Sequence, residues 1–220
     1  LLKGHTERYP VEQLQMQLFP DEPSEFVTQD FAGDGTVSSL SRGKKYLTAT
    51  AKVEMAGKTG FACRRIPLEK ANVRMTRRIL QQSYYLAATK VLGTVPPWGA
   101  LSGVRPTKLS TKYMLEGGTE TDAVRLLEKT YFVTPQRSRL CVDASKHTLE
   151  AAKLLEPGDL SVYIGIPFCP TRCSYCSFVS ESIERFGAFL PPYLEALHRE
   201  IAYTGRLLAG SGYHIRSLYM

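Results

Sequence analysis

Three of the five cysteines in this 220-residue chain stand together in Cys169-Pro-Thr-Arg-Cys173-Ser-Tyr-Cys176. Gaps of three and two residues let one tight loop offer three thiolates to an iron–sulfur cube, whose irons ordinarily take one cysteine each. Cys63 and Cys141 lie far away in sequence, so no fourth thiol is at hand. One iron is then open to an exchangeable ligand, and the amino and carboxylate groups of a methionine derivative suit it. The hard chemistry of such a site belongs to the cofactor rather than to a side chain. A structural zinc ion is the competing reading, but zinc wants four ligands in paired spacings such as C-x2-C. The nearest further candidates, His198 and His214, lie well down the chain. An odd cysteine count with three clustered also argues against a secreted disulfide framework. Cys63, after the strand-like Thr59-Gly-Phe-Ala62, and Cys141, in a helical pattern, read as packed or idle thiols.

The elements around the loop are those of a βαβ unit. Leu160-Ser-Val-Tyr-Ile-Gly-Ile166 is short, apolar and β-branched, as a buried strand is. The cysteines come next, then a helix from about Pro191 to Leu208, a Gly210-Ser-Gly212 break, and a second strand over Ile215–Met220. In barrels of this kind the chemistry sits on loops after the strands, where these cysteines lie.

Pro157-Gly158-Asp159 marks a boundary, so the chain divides into residues 1–157, an N-terminal α+β domain, and 158–220. In the first, Val11–Phe19 suits a short helix stopped by Pro20, and Asp30–Arg42, rich in Gly, Ser and Asp, reads as a loop. Tyr46–Met55 alternates with period two, placing Leu47, Ala49, Ala51, Val53 and Met55 on one face. Gly57–Gly60 supplies a turn and Phe61–Ile66 the returning strand. Asn72 caps a helix to Leu92 that Gly93 ends, with Val73, Ile79, Leu80, Tyr84, Ala87 and Val91 as its apolar face. Pro96–Lys108 is turn-rich and holds the lone tryptophan. Helices are expected over Thr121–Thr130 and Pro135–Leu155, the latter capped by Thr134 with Pro135 in its first turn.

Hydrophobic and charged fractions of 43% and 22% are those of an ordinary globular protein. No apolar run reaches membrane-spanning length, and the first residues lack the features of a secretory signal, so a cytoplasmic location is expected. The net charge of +7 is uneven. Ten basic residues and one acid, Glu69, fall between Arg64 and Lys112. Such a stretch could meet a polyanionic small molecule, an anionic surface or nucleic acid. No zinc finger or aromatic-basic RNA-binding signature accompanies it in the linear sequence, which makes nucleic acid the weaker of these readings.

The string Tyr163-Ile-Gly-Ile-Pro-Phe-Cys169-Pro-Thr-Arg-Cys173-Ser-Tyr-Cys176-Ser-Phe178 resembles the radical S-adenosylmethionine enzymes, and specifically the oxygen-independent coproporphyrinogen III oxidase family. Upstream, Pro96-Pro-Trp-Gly-Ala-Leu-Ser-Gly-Val-Arg-Pro-Thr-Lys108 is similar to the N-terminal extension of its HemZ-type branch. The resemblance implies an α/β fold in which the N-terminal domain precedes the start of a partial (β/α) TIM barrel. It implies a [4Fe-4S] cluster on Cys169, Cys173 and Cys176, and S-adenosyl-L-methionine contacted by Tyr163, with Tyr175 beside a second cofactor molecule. It implies oxidative decarboxylation of two propionates of coproporphyrinogen III to protoporphyrinogen IX, with a flavodoxin or ferredoxin as electron donor. The catalytic side chains are left unknown. The basic stretch would suit the tetracarboxylate substrate, with Arg105 and Lys108 as candidate contacts.

Gly165 stands where well-described family members carry histidine, and Ser177-Phe178 replaces a Gly-Cys pair. These departures keep two other readings open, a haem-binding or haem-trafficking relative and a radical enzyme that modifies tRNA. The glycine-rich cofactor segment and most of the barrel are expected beyond Met220, so the chain reads as an N-terminal fragment that does not turn over alone.

Overall fold

Alternation in the sequence becomes a sheet packed on helices. The computed structural model describes every residue except Arg172, Ser174, Tyr175 and Val179. Its first elements are β1 (Leu2–Lys3), α1 (Tyr9–Leu18), β2 (Gly35–Arg42), β3 (Tyr46–Met55) and β4 (Lys58–Pro67). They form a four-stranded sheet in the order β1-β2-β3-β4, with β1 parallel to β2 and the rest antiparallel. Leu47, Ala49, Ala51 and Val53 are buried as their period-two spacing predicts. Ala56 and Gly57, both at positive φ, make the two-residue turn from β3 to β4.

The Asp30–Arg42 loop expectation is corrected for its second half, which is β2. Ser and Gly lower local strand preference, but β3 offers a full row of partners from Gly35↔Glu54 to Arg42↔Leu47. Pairing overrides composition there, and Ser38 ends fully buried.

Helix α2 (Val73–Leu92) lies on the sheet's buried face. The Asn72 side chain accepts from the Met75 N–H at 2.9 Å, and Gly93 closes the helix in the left-handed region. Ile79, Leu80, Tyr84, Ala87 and Val91 are buried, whereas Val73, in the first turn, is 64% exposed and leaves the expected apolar face. Gly60 shows how close helix and sheet come, since a Cβ there would meet the Ala87 carbonyl oxygen at 2.0 Å. Next come α3 (Pro106–Leu115), α4 (Glu120–Tyr131) and α5 (Pro135–Ala152). They share a second core of Leu101, Ala123, Leu127, Val133, Cys141 and Val142. The turn-rich reading of Pro96–Lys108 misses α3, which starts within it on Pro106. Thr134 stands at the head of α5, where its carbonyl accepts from the Ser138 N–H at 2.9 Å and its hydroxyl donates to the Pro97 carbonyl.

The chain divides into two compact units, Leu1–Leu149 and Glu150–Met220. The division lies a few residues before the sequence boundary at residue 157. Residues 150–157 belong to the second unit because the Asp159 carboxylate accepts from the Glu156 N–H, and the Gly158 carbonyl accepts from His214.

The second unit contains β5 (Asp159–Tyr163), β6 (Phe168–Cys169), β7 (Glu181–Ser182), α6 (Ile183–Phe186), α7 (Leu190–Leu208) and β8 (His214–Tyr219). β5 and β8 pair in parallel, from Asp159↔His214 to Tyr163↔Tyr219, with α7 in the connection. Parallel neighbours need such a crossover. The mixed α/β class holds, and the strands described in this unit pair two by two rather than as a closed barrel. No helix among the described residues is long and apolar enough to cross a membrane.

Candidate metal centre

The cysteine loop leaves the carboxyl end of β5. After Tyr163 the Ile164 N–H still donates to Tyr219 at 2.9 Å, so the parallel ladder runs on to the edge of the loop. The loop's base is pinned by β6 and β7, where Phe168 pairs with Glu181 and Cys169 with Ser182. The Glu181 N–H adds a 2.7 Å bond to the Pro167 carbonyl. Cys169 therefore sits on a strand fixed by backbone bonds, at the point where the loop begins. Further in, the Cys173 carbonyl accepts from the Cys176 N–H at 3.0 Å.

All five cysteines are free. Cys169 and Cys176 are half-buried and Cys173 is exposed, so the loop is open to solvent on one side. Among the described residues no three metal-ligating side chains gather as the ligand set of a single ion. His198 and His214, the fourth ligands a zinc site would need, are both exposed on α7 and β8. Thiols alone, without carboxylate or imidazole in the 169–176 stretch, are the donor set of iron–sulfur chemistry. By donor type Cys169, Cys173 and Cys176 suit such a cluster, while their side chains are not gathered into a ligand set in this structure.

Tyr163 is 68% exposed, and its ring stacks on that of Tyr219 at 5.7 Å between centroids. Both rings stand at the carboxyl ends of the parallel strands, the side from which the cysteine loop departs. Tyr163 also leans over Gly165, where a Cβ would lie 3.0 Å from its Cε1. The Gly165 carbonyl accepts from the Tyr193 hydroxyl, and the Tyr193 ring meets Phe168 edge-on at 5.3 Å. Tyr193 thus ties α7 to the chain just before Cys169. Sequence reasoning passes over Tyr193 and Tyr219, although the place of Tyr219 at the end of the second parallel strand is a signal that could find it. Tyr175 lies outside the described residues.

The other two cysteines differ from each other. Cys141 is buried beside Ser110, at 3.2 Å from its hydroxyl, and burial pushes its thiol pKa up. Cys63 is exposed on β4 rather than packed. The basic stretch from Arg64 to Lys112 is dispersed over structural roles. Arg77 pairs with Glu7, Arg64 lies over Phe132, and Lys90 donates to the Phe61 carbonyl.

Fold and site together describe a protein with a three-thiol loop on the carboxyl side of a parallel crossover pair. The chain is similar to the oxygen-independent coproporphyrinogen-III oxidase-like protein HemZ of Bacillus subtilis (strain 168), 27% identical over 214 residues. The match covers 94% of this chain and 41% of the relative, so the chain spans about two-fifths of the length of the curated protein it resembles. No family model matches the chain, and no solved structure matches it.

Proposed function

We propose that the chain carries the cluster-binding segment of a radical S-adenosylmethionine oxidoreductase that decarboxylates coproporphyrinogen III to protoporphyrinogen IX without oxygen. One observation carries the reading: a loop with C-x3-C-x2-C spacing leaves the carboxyl end of a parallel strand, its base held by β6 and β7. The likeness over most of the chain to a coproporphyrinogen-III oxidase-like protein supports the substrate class.

When bound, the cluster and the sulfonium cofactor supply one-electron hydrogen abstraction. The chain's own part is to bind and orient. Cys169, Cys173 and Cys176 hold the irons as thiolates, and the β6–β7 clamp fixes the first of them. Tyr163, at the end of β5, would contact the cofactor, and Tyr175 would lie beside a second cofactor molecule. A flavodoxin or ferredoxin would deliver the electron.

The test is anaerobic reconstitution with iron and sulfide, then iron counting and electron paramagnetic resonance of the reduced state. Four irons per chain, lost in Cys169→Ala, Cys173→Ala and Cys176→Ala but kept in Cys63→Ala, is the expected result. A single zinc that survives one of the three substitutions would end the cluster reading. With the reconstituted full-length protein, carbon dioxide release from coproporphyrinogen III is expected. Stoichiometric haem binding without that release would move the assignment to a haem-trafficking protein.

A further inference from the structure

The four-stranded sheet has one covered face and one bare face. Inward residues of β3 and β4, such as Ala51, Val53 and Ala62, pack against α2. Alternation sends their neighbours the other way. On that outer side Thr48 pairs across with Arg65, Thr50 with Cys63, and Lys52 with Phe61, while Ser39 and Ser41 of β2 flank Thr50 and Thr48. The middle of the face is therefore floored by short hydroxyl side chains.

Two aromatic rings stand on this floor. Phe61 is 55% exposed and Tyr46 40% exposed. The Arg65 guanidinium lies over the Tyr46 ring, 4.8 Å from its centroid, so a planar cation and an aromatic are already stacked at one end. Tyr46 and Lys52 are six positions apart in β3, which separates the Tyr46 and Phe61 rows by roughly 20 Å. Beside Tyr46, the β2–β3 turn adds Lys44 and Lys45, both exposed, whereas Arg42 at the end of β2 is in register with the buried Leu47 and belongs to the other face. Among the described residues, Lys44, Lys45 and Arg65 form no ion pair, whereas Lys52 is neutralised by Glu54 at 2.8 Å.

We infer that this outer sheet face binds single-stranded RNA, its phosphates along Lys44, Lys45 and Arg65 and its bases against Tyr46 and Phe61. Charge complementarity selects a polyanion. Flatness and isolated rings then select the kind. A protein interface buries a contiguous apolar centre, which a floor of Ser and Thr does not supply. Bases stack on separate aromatic and guanidinium planes with no such centre, and a backbone needs only a track of cations. The linear sequence hides the pattern because the cations come from one turn and one strand, and strand pairing alone assembles them. The RNA face lies wholly in the first unit and is independent of the cluster in the second.

The experiment is fluorescence anisotropy of the purified protein with a fluorescein-labelled oligouridine about a dozen nucleotides long. Binding is expected to weaken with salt, with a log–log slope of roughly −2 for about three phosphate contacts to a single strand. K44E/K45E/R65E should lower affinity at least tenfold and flatten the slope by about 2. Phe61→Ala should lower affinity roughly tenfold at unchanged slope, because it removes stacking and no charge. Bound RNA should also shield Cys63, between Phe61 and Arg65, from iodoacetamide, read by peptide mass without any substitution. Absent binding, or binding that ignores these substitutions and leaves Cys63 reactive, would overturn the inference. So would a change in oligomeric state on K44E/K45E/R65E without RNA affinity in the parent protein, since the face would then join two copies.

Discussion

His5 couples the edge of the sheet to pH. Its Nε2 lies 3.1 Å from the Ser38 hydroxyl, while its buried Nδ1 has no partner among the described residues. Burial, more than any neighbouring charge, lowers its pKa below the ordinary 6.5, although Glu7 and the Ser38 carbonyl pull the other way. A folded pKa below the unfolded one means that the unfolded chain binds more protons in this range. The contribution to stability is therefore complete above pH 6.5 and is lost as pH falls through that value towards the folded pKa. The urea midpoint should drop between about pH 7 and about pH 5.5, and His5→Gln should shrink the drop. Equal drops in both proteins would place the pH dependence elsewhere.

Between elements, the tightest constraint is the approach of β4 to α2 at Gly60. A methyl group would collide with the Ala87 carbonyl oxygen, held inside α2, and crowd Val91 in its last turn. Gly60→Ala should cost about 2 kcal/mol by forcing helix and sheet apart. Denaturant unfolding measures it, and a loss under about 0.5 kcal/mol would mean that the contact relaxes freely. Much of this layer is legible in sequence. β3, β4 and α2 declare themselves through strong periodicity, the cap at Asn72 and the stop at Gly93. β2 and α3 do not. The first is written in Ser and Gly and exists because β3 offers partners. The second starts on Pro106, a residue that suits the first helical turn but is hidden in a turn-rich stretch. At the candidate centre, spacing alone picks out Cys169, Cys173 and Cys176. The β6–β7 clamp and the Tyr193 tie are long-range pairings that no local pattern encodes.

As a whole molecule, the chain is unevenly consolidated. The first unit has a sheet layered on two helices and a separate three-helix core. In the second, α7 buries no residue and every residue of β8 is exposed. Two paired strands and a helix hold little stability by themselves. Limited proteolysis of the 220-residue chain should therefore cut the second unit first, entering near the exposed Lys153 and at the arginines of α7. A resistant fragment ending near residue 150 is expected by mass spectrometry. Survival of residues 158–220 while the sheet domain is cleaved would reverse the ranking.

Gly165 has a consequence for any comparison between this chain and its relatives. Because the Tyr163 ring lies close above it, the identity of residue 165 and the pose of Tyr163 are coupled. A side chain at 165 in this chain would need the Tyr163 ring to give by a few tenths of an ångström. A substitution at 165 therefore has meaning only as one corner of a thermodynamic cycle whose other corner is residue 163.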